Sequence, residues 1–113
     1  MNKAKLKEEV KEISEFEENW DGYGAGTFAQ KTIDKVYEVI DSLDDKYSDP
    51  DVVPSVYGVQ LEWENKENGL EIYVEDAGLS HLKVVGKDMK CWTETKMSDM
   101  SEINELLEWL YEK

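Results

Sequence analysis

Apolar positions change their spacing midway along the chain, and that change divides the sequence into helical and extended parts. Between Lys3 and Glu18 they fall at Leu6, Val10, Ile13 and Phe16, with Lys and Glu between them. This spacing predicts an amphipathic helix with one narrow apolar stripe. Glycines at 22, 24 and 26 stop the helix and allow positive backbone dihedrals in an aromatic loop, Asn19-Trp20-Asp21-Gly22-Tyr23-Gly24-Ala25. Thr27-Phe28-Ala29-Gln30 has the form of a capping box. A second helix is expected from there, with a stripe at Phe28, Ile33, Val36, Tyr37, Ile40 and Leu43. The Asp- and Pro-bearing segment from Asp44 to Pro54 reads as a loop.

After Pro54 the period becomes two. Val59, Leu61 and Trp63 alternate with Gln60, Glu62 and Glu64, and Leu70, Ile72 and Val74 alternate with Glu71, Tyr73 and Glu75. With Asn65 to Gly69 as the turn, these runs form a hairpin. Asp76-Ala77-Gly78 and Gly86-Lys87-Asp88 separate two further strands, Leu79 to Val85 and Met89 to Thr95. A last helix, capped by Ser98 or Ser101, carries Ile103, Leu106, Leu107 and Leu110, with Trp109 at the stripe's edge. The order is ααββββα. It predicts one α+β domain over residues 1–113, with two N-terminal helices, a four-stranded antiparallel meander and a C-terminal helix, the helices on one face of the sheet.

Composition narrows the function. The chain is 40% hydrophobic with four tryptophans, enough for a folded core, yet it carries a net charge of −14. All 13 basic residues are lysines. An acidic surface without arginine repels phosphates and lacks the planar fork that grips them, so direct nucleic-acid binding is not expected. No run approaches a membrane span, and MNKAKLKEEVKEIS has no apolar signal core, so a cytoplasmic, membrane-free protein is expected. One cysteine, Cys91, needs no partner in a reducing cytosol.

Catalytic groups are few. His81 is the single histidine, which excludes two-His metal sites. His81 and Cys91 both fall in predicted strands, where a cysteine commonly fills core space and a histidine faces solvent. Common nucleotide-binding and hydrolase motifs are absent. Asp44, Asp45, Asp49 and Asp51 crowd one segment without the spacing of a calcium loop, and solvated loop chemistry explains them. No enzyme activity, cofactor or metal is expected.

The outward face of the hairpin is the stronger candidate. Aligning Trp63 with Ile72 and Leu61 with Val74 would place Glu64 opposite Glu71 and Gln60 opposite Glu75. Opposed carboxylates cost stability, so Glu62, Glu64, Glu71 and Glu75 around Tyr73 suit contact with the basic surface of another protein. Protection against edge aggregation, or plain solubility, would explain the same charges. In the glycine-rich loop, Trp20 and Tyr23 either plug the core or meet a ligand.

Asn19-Trp20-Asp21-Gly22-Tyr23-Gly24-Ala25, the prolines Pro50 and Pro54, Gly58-Val59-Gln60-Leu61-Glu62-Trp63 and Leu70 to Glu75 together resemble the signature of an uncharacterised family of small bacterial proteins. That family combines an N-W-D-G-Y-G-A loop, a following helix and a strand ending in Glu-Trp. The resemblance implies a shared fold and a bacterial or phage origin, and no activity. The expected function is that of a small acidic interaction or inhibitor protein, of the kind that antitoxins, immunity proteins and nucleic-acid mimics represent. The alternative is a ligand-binding domain or enzyme built on the Trp20 to Tyr23 loop. Oligomeric state is not legible.

Overall fold

The computed structural model describes residues 1–18, 20, 22, 26–86, 95–97 and 99–112. Its order is α1 (Lys3–Ser14), α2 (Gln30–Ser42), β1 (Asp51–Ser55), β2 (Gly58–Asn65), β3 (Asn68–Glu75), β4 (Gly78–Val84), β5 (Thr95–Met97) and α3 (Glu102–Tyr111). The strands form one antiparallel sheet in sequence order, and the helices pack against β1, β2 and β3. The α+β class, the two leading helices, the meander and the closing helix are all present.

The sheet has one strand more than the sequence suggested. Asp51–Ser55, which overlaps the end of the expected Asp44 to Pro54 loop, pairs with Glu62–Gly58 as an edge strand. Pro54 is tolerable there because a strand at a sheet's edge leaves half its amides without a ladder partner. Of the expected strand from Met89 to Thr95, the part from 89 to 94 lies outside the described residues, as does Cys91; β5 itself begins at Thr95.

Helix ends differ from expectation for local reasons. α1 stops at Ser14 rather than Glu18: the Ser14 hydroxyl donates to the Lys11 carbonyl at 2.6 Å, and Phe16 turns inward beyond it. The capping box at Thr27 is not formed. Ala29 is the N-cap of α2 without any side-chain bond, and Gln30 reaches forward to Asp34 at 2.9 Å instead of back. Ser101 occupies the N-cap of α3 but gives no side-chain cap, while the Asp99 carboxylate accepts its backbone amide at 2.9 Å; Ser98 lies outside the described residues. Asn104 ties α3 to the end of α2, donating to the Ser42 carbonyl and accepting from the Asp44 amide.

The core lies between the helices and one sheet face. Leu6, Val10 and Ile13 of α1, Ile33, Val36, Val39 and Ile40 of α2, and Ile103, Leu107 and Leu110 of α3 close over Val59, Leu61, Trp63, Leu70, Ile72 and Val74. Trp63 is buried with its indole N–H donating to the Ser48 carbonyl at 2.9 Å, so this large ring enters the core without an orphaned donor.

Two-residue turns at 56–57, 66–67 and 76–77 connect the first four strands. Lys66 takes a left-handed φ of 59°, as tight hairpin turns require. Gly58 begins β2 where a Cβ would sit 2.1 Å from the Val74 carbonyl oxygen. Backbone atoms cannot yield as a flexible side chain would. Gly58→Ala is therefore expected to destabilise the fold by about 1–3 kcal/mol, the range of overpacking. A urea titration that leaves the midpoint unchanged would show that the β2–β3 ladder gives way easily.

Candidate interaction face

Cross-strand partners project to the same side of a sheet, so register decides which acids meet. The pairs Trp63 with Leu70, Leu61 with Ile72 and Val59 with Val74 belong to the helix side. Glu62 therefore opposes Glu71, Gln60 opposes Tyr73, Glu64 opposes Gly69, and Gly58 opposes Glu75 on the other side. The expected register is corrected by two residues. The cause is the turn, which uses only Lys66 and Glu67 and pairs Asn65 with Asn68. A slip of two preserves both faces and changes every partner.

Glu62, Glu64, Glu71, Tyr73 and Glu75 thus share the face away from the helices. β1 adds Asp51 beside Glu62 and Val53 beside Gln60. A row of carboxylates, Asp51, Glu62 and Glu71, runs across three strands, with Glu64 next to it along β2. β4 supplies Ser80 and Leu82, buried at 4% and 5% exposure, and the half-buried Val84 to this side, so the carboxylates of the face lie on β1 to β3. The Tyr73 hydroxyl donates to Glu71 at 3.2 Å.

The cluster is electrostatically costly. Partial burial pushes the Glu62 carboxyl above its ordinary range, and Glu71 raises it further through its charge and a hydrogen bond between the two side chains, with Asp51 and Glu64 adding repulsion. Ion pairs among the described residues lie along the helices and the loop after α2: Lys3 with Asp45, Lys7 with Asp41, Lys35 with Glu38, and Lys46 with Asp44. None joins a described lysine to Asp51, Glu62, Glu64 or Glu71.

Asp51 was missed by sequence reasoning because it was read as loop. The β-branched pair Val52-Val53 between Asp51 and Pro54 was the available signal. The other acids of that segment hold the turn and the N-terminus in place. Asp44 accepts from the Lys46 amide, and Asp49 accepts from the Asn2 amide at 2.6 Å. Among the described residues no three His, Cys, Asp or Glu side chains converge as metal ligands.

In the glycine-rich loop, Asn19, Asp21, Tyr23 and Gly24, with Ala25, lie outside the described residues. Trp20 is half-buried, stacked on Phe28 at 5.6 Å and tilted against Phe16 at 5.3 Å, and its indole N–H donates to the Gly26 carbonyl. Gly22 is exposed with φ 77°. The described part of the loop folds its tryptophan onto the aromatic cluster at the helix ends.

His81 pairs with Ile72 and so lies on the helix side of the sheet, where it is half-buried. Its Nδ1 is buried with no hydrogen-bond partner among the described residues. Burial holds its pKa below the usual 6.5, aided by the Lys83 charge and opposed by Glu102.

No protein-family model, curated protein or solved structure matches the chain. Among the described residues no helix is long and apolar enough to cross a membrane.

Two pH effects follow, with opposite signs. Glu62 has a raised folded pKa, so its contribution to stability is complete below the unfolded value of 4.5 and is lost as pH rises through the folded value. Glu62→Gln is expected to stabilise the protein by about 0.5–1 kcal/mol near neutrality, the scale of a cross-strand pair, with the gain vanishing in acid. Equal urea midpoints for the two proteins at neutral pH would refute this. His81 has a depressed pKa, so its neutral form favours the fold above 6.5 and stability falls as pH drops below that. His81→Leu is expected to flatten the melting-temperature profile between about pH 7 and 5. Parallel profiles would assign that pH dependence to other groups.

Proposed function

We propose that the protein is a small acidic binding protein that uses the open face of β1 to β3 to occupy a basic surface on another protein. The observation that carries this reading is the opposition of Glu62 and Glu71, flanked by Asp51 and Glu64 in a position that costs the isolated fold stability. Scattered surface acids give solubility without that cost. A cluster in which partial burial and neighbouring carboxylates together hold the Glu62 pKa up gains most when a partner brings positive charge to it, since the repulsion turns into attraction on binding.

The shape of the face agrees with this use. It is a pleated, two-residue-periodic surface, rigidly backed by the core, with Tyr73 and Gln60 among the acids as hydrogen-bonding groups. Tyr is favoured at interface centres because it offers broad contact area for little loss of conformational freedom. The partner's surface would carry lysine or arginine, as surfaces that bind nucleic acid do. Inhibition by covering such a surface is the activity that fits, in the manner of an antitoxin, immunity protein or nucleic-acid mimic.

The test is charge reversal. Glu62→Lys, Glu64→Lys, Glu71→Lys and Glu75→Lys combined are expected to abolish retention of a basic host protein on the immobilised chain at low ionic strength. Circular dichroism should remain that of the native fold, because all four side chains lie off the core. Retention by the wild-type chain should weaken as salt rises. If the quadruple variant retains the same proteins as the wild type, the acids of this face belong to solubility.

A further inference from the structure

Away from the sheet's open face, the exposed side of α3 and the segment Lys46-Tyr47 enclose a cleft of about 490 Å³. Its composition is specific. Tyr47 and Tyr111 stack at 5.6 Å between ring centroids with 22° between their planes, and Trp109 stands beside them. Glu105 and Glu108 of α3, one turn apart, and Glu112 just past the helix end also line the cleft, which puts three carboxylates beside the rings. All three glutamates are exposed.

We propose that this cleft binds an organic ammonium cation. Aromatic faces attract a cation through the negative charge above the ring, and carboxylates at the rim supply the counter-charge; together they form the arrangement that recognises alkylated ammonium groups. The rings already hold cations of the chain itself. Lys46 Nζ lies 5.2 Å from the Tyr47 ring centre, and Lys83 Nζ lies 4.7 Å from that of Trp109. Lys46 is a weak occupant, since its side chain is 65% exposed and its nearest carboxylate, on Asp44, is 4.0 Å away. Three glutamates against one lysine leave the lining net negative, so an added cation meets net attraction there. A neutral ligand would gain only the ring contacts, and an anion would meet the three glutamates.

The same chemistry comes from two sources, a free small molecule bearing a quaternary or alkylated ammonium, or a lysine side chain presented by another protein. Nuclear magnetic resonance titration of the full chain separates them. Choline is the probe for the first, Nα-acetyl-lysine amide for the second, and neohexyl alcohol is the uncharged isostere of choline. The expected result is a saturable shift of the Trp109 indole N–H and the Tyr111 signals with one or both cations. The isostere should bind at least about tenfold more weakly, because it has shape without charge. Tighter binding of choline assigns the cleft to a small molecule, and tighter binding of the lysine derivative assigns it to a partner's side chain. Glu105→Gln with Glu108→Gln, both at exposed positions, should weaken cation binding while leaving the spectrum otherwise that of the native fold. If the isostere matches the cations, if no probe shifts these signals, or if the double variant binds as the wild type does, the proposal is overturned.

Discussion

The register of the β2–β3 hairpin is the constraint on which the rest of the structure depends. Strand pairing with a period of two assigns every side chain of β2 and β3 to one of two faces at once. With Lys66 and Glu67 as the turn, Val59, Leu61 and Trp63 meet Val74, Ile72 and Leu70, and all three helices find an unbroken apolar surface. The same register brings Glu62 against Glu71. A slip of one residue would place carboxylates beneath the helices and tryptophan in water, at a cost no other interaction in the chain could offset. Gly58 restricts the far end of the ladder, where the Val74 carbonyl leaves no room for a side chain. The turn and the glycine hold the two ends of one decision.

That decision couples stability to the acidic face. Burial of the apolar row stabilises the fold by several kilocalories per mole, at about 25 cal/mol per Å² of apolar surface. The repulsion between opposed glutamates is on the order of 1 kcal/mol or less. The apolar side therefore sets which residues face the helices, the two-residue turn sets the partners within that alternation, and the acidic side must accept the neighbours they produce. Because the energetic hierarchy is this lopsided, the charged face is free to vary without disturbing the fold, which is the condition a binding surface needs.

Much of this was legible in the sequence, and the failures have physical causes. Helical and strand periods located α1, α2, α3 and the strands β2 to β4, because burial against a core enforces periodicity. The identity of the acidic face was legible for the same reason, since a shift of two residues leaves alternation unchanged. The register within it was not. Asn65-Lys66-Glu67-Asn68-Gly69 accommodates turns of several lengths, and alternation alone does not select between them. β1 was hidden because proline and aspartate signal loops in isolation, whereas an edge strand tolerates both. The capping box at Thr27 failed because a side chain can cap only where the backbone begins its first turn, and α2 begins at Gln30.

The position of His81 shows how far alternation can be trusted. Period two places it with Ile72 and Leu79 on the helix side, where it is half-buried, and its neutral form accepts this better than its charged form. On the opposite side, Glu62 is more easily protonated than an exposed glutamate. One sheet therefore holds a base that resists charging on its inner face and an acid that resists charging on its outer face. The first is a consequence of partial burial beside Lys83. The second arises at the sheet's outer face, where partial burial and the neighbouring carboxylates act together on one glutamate.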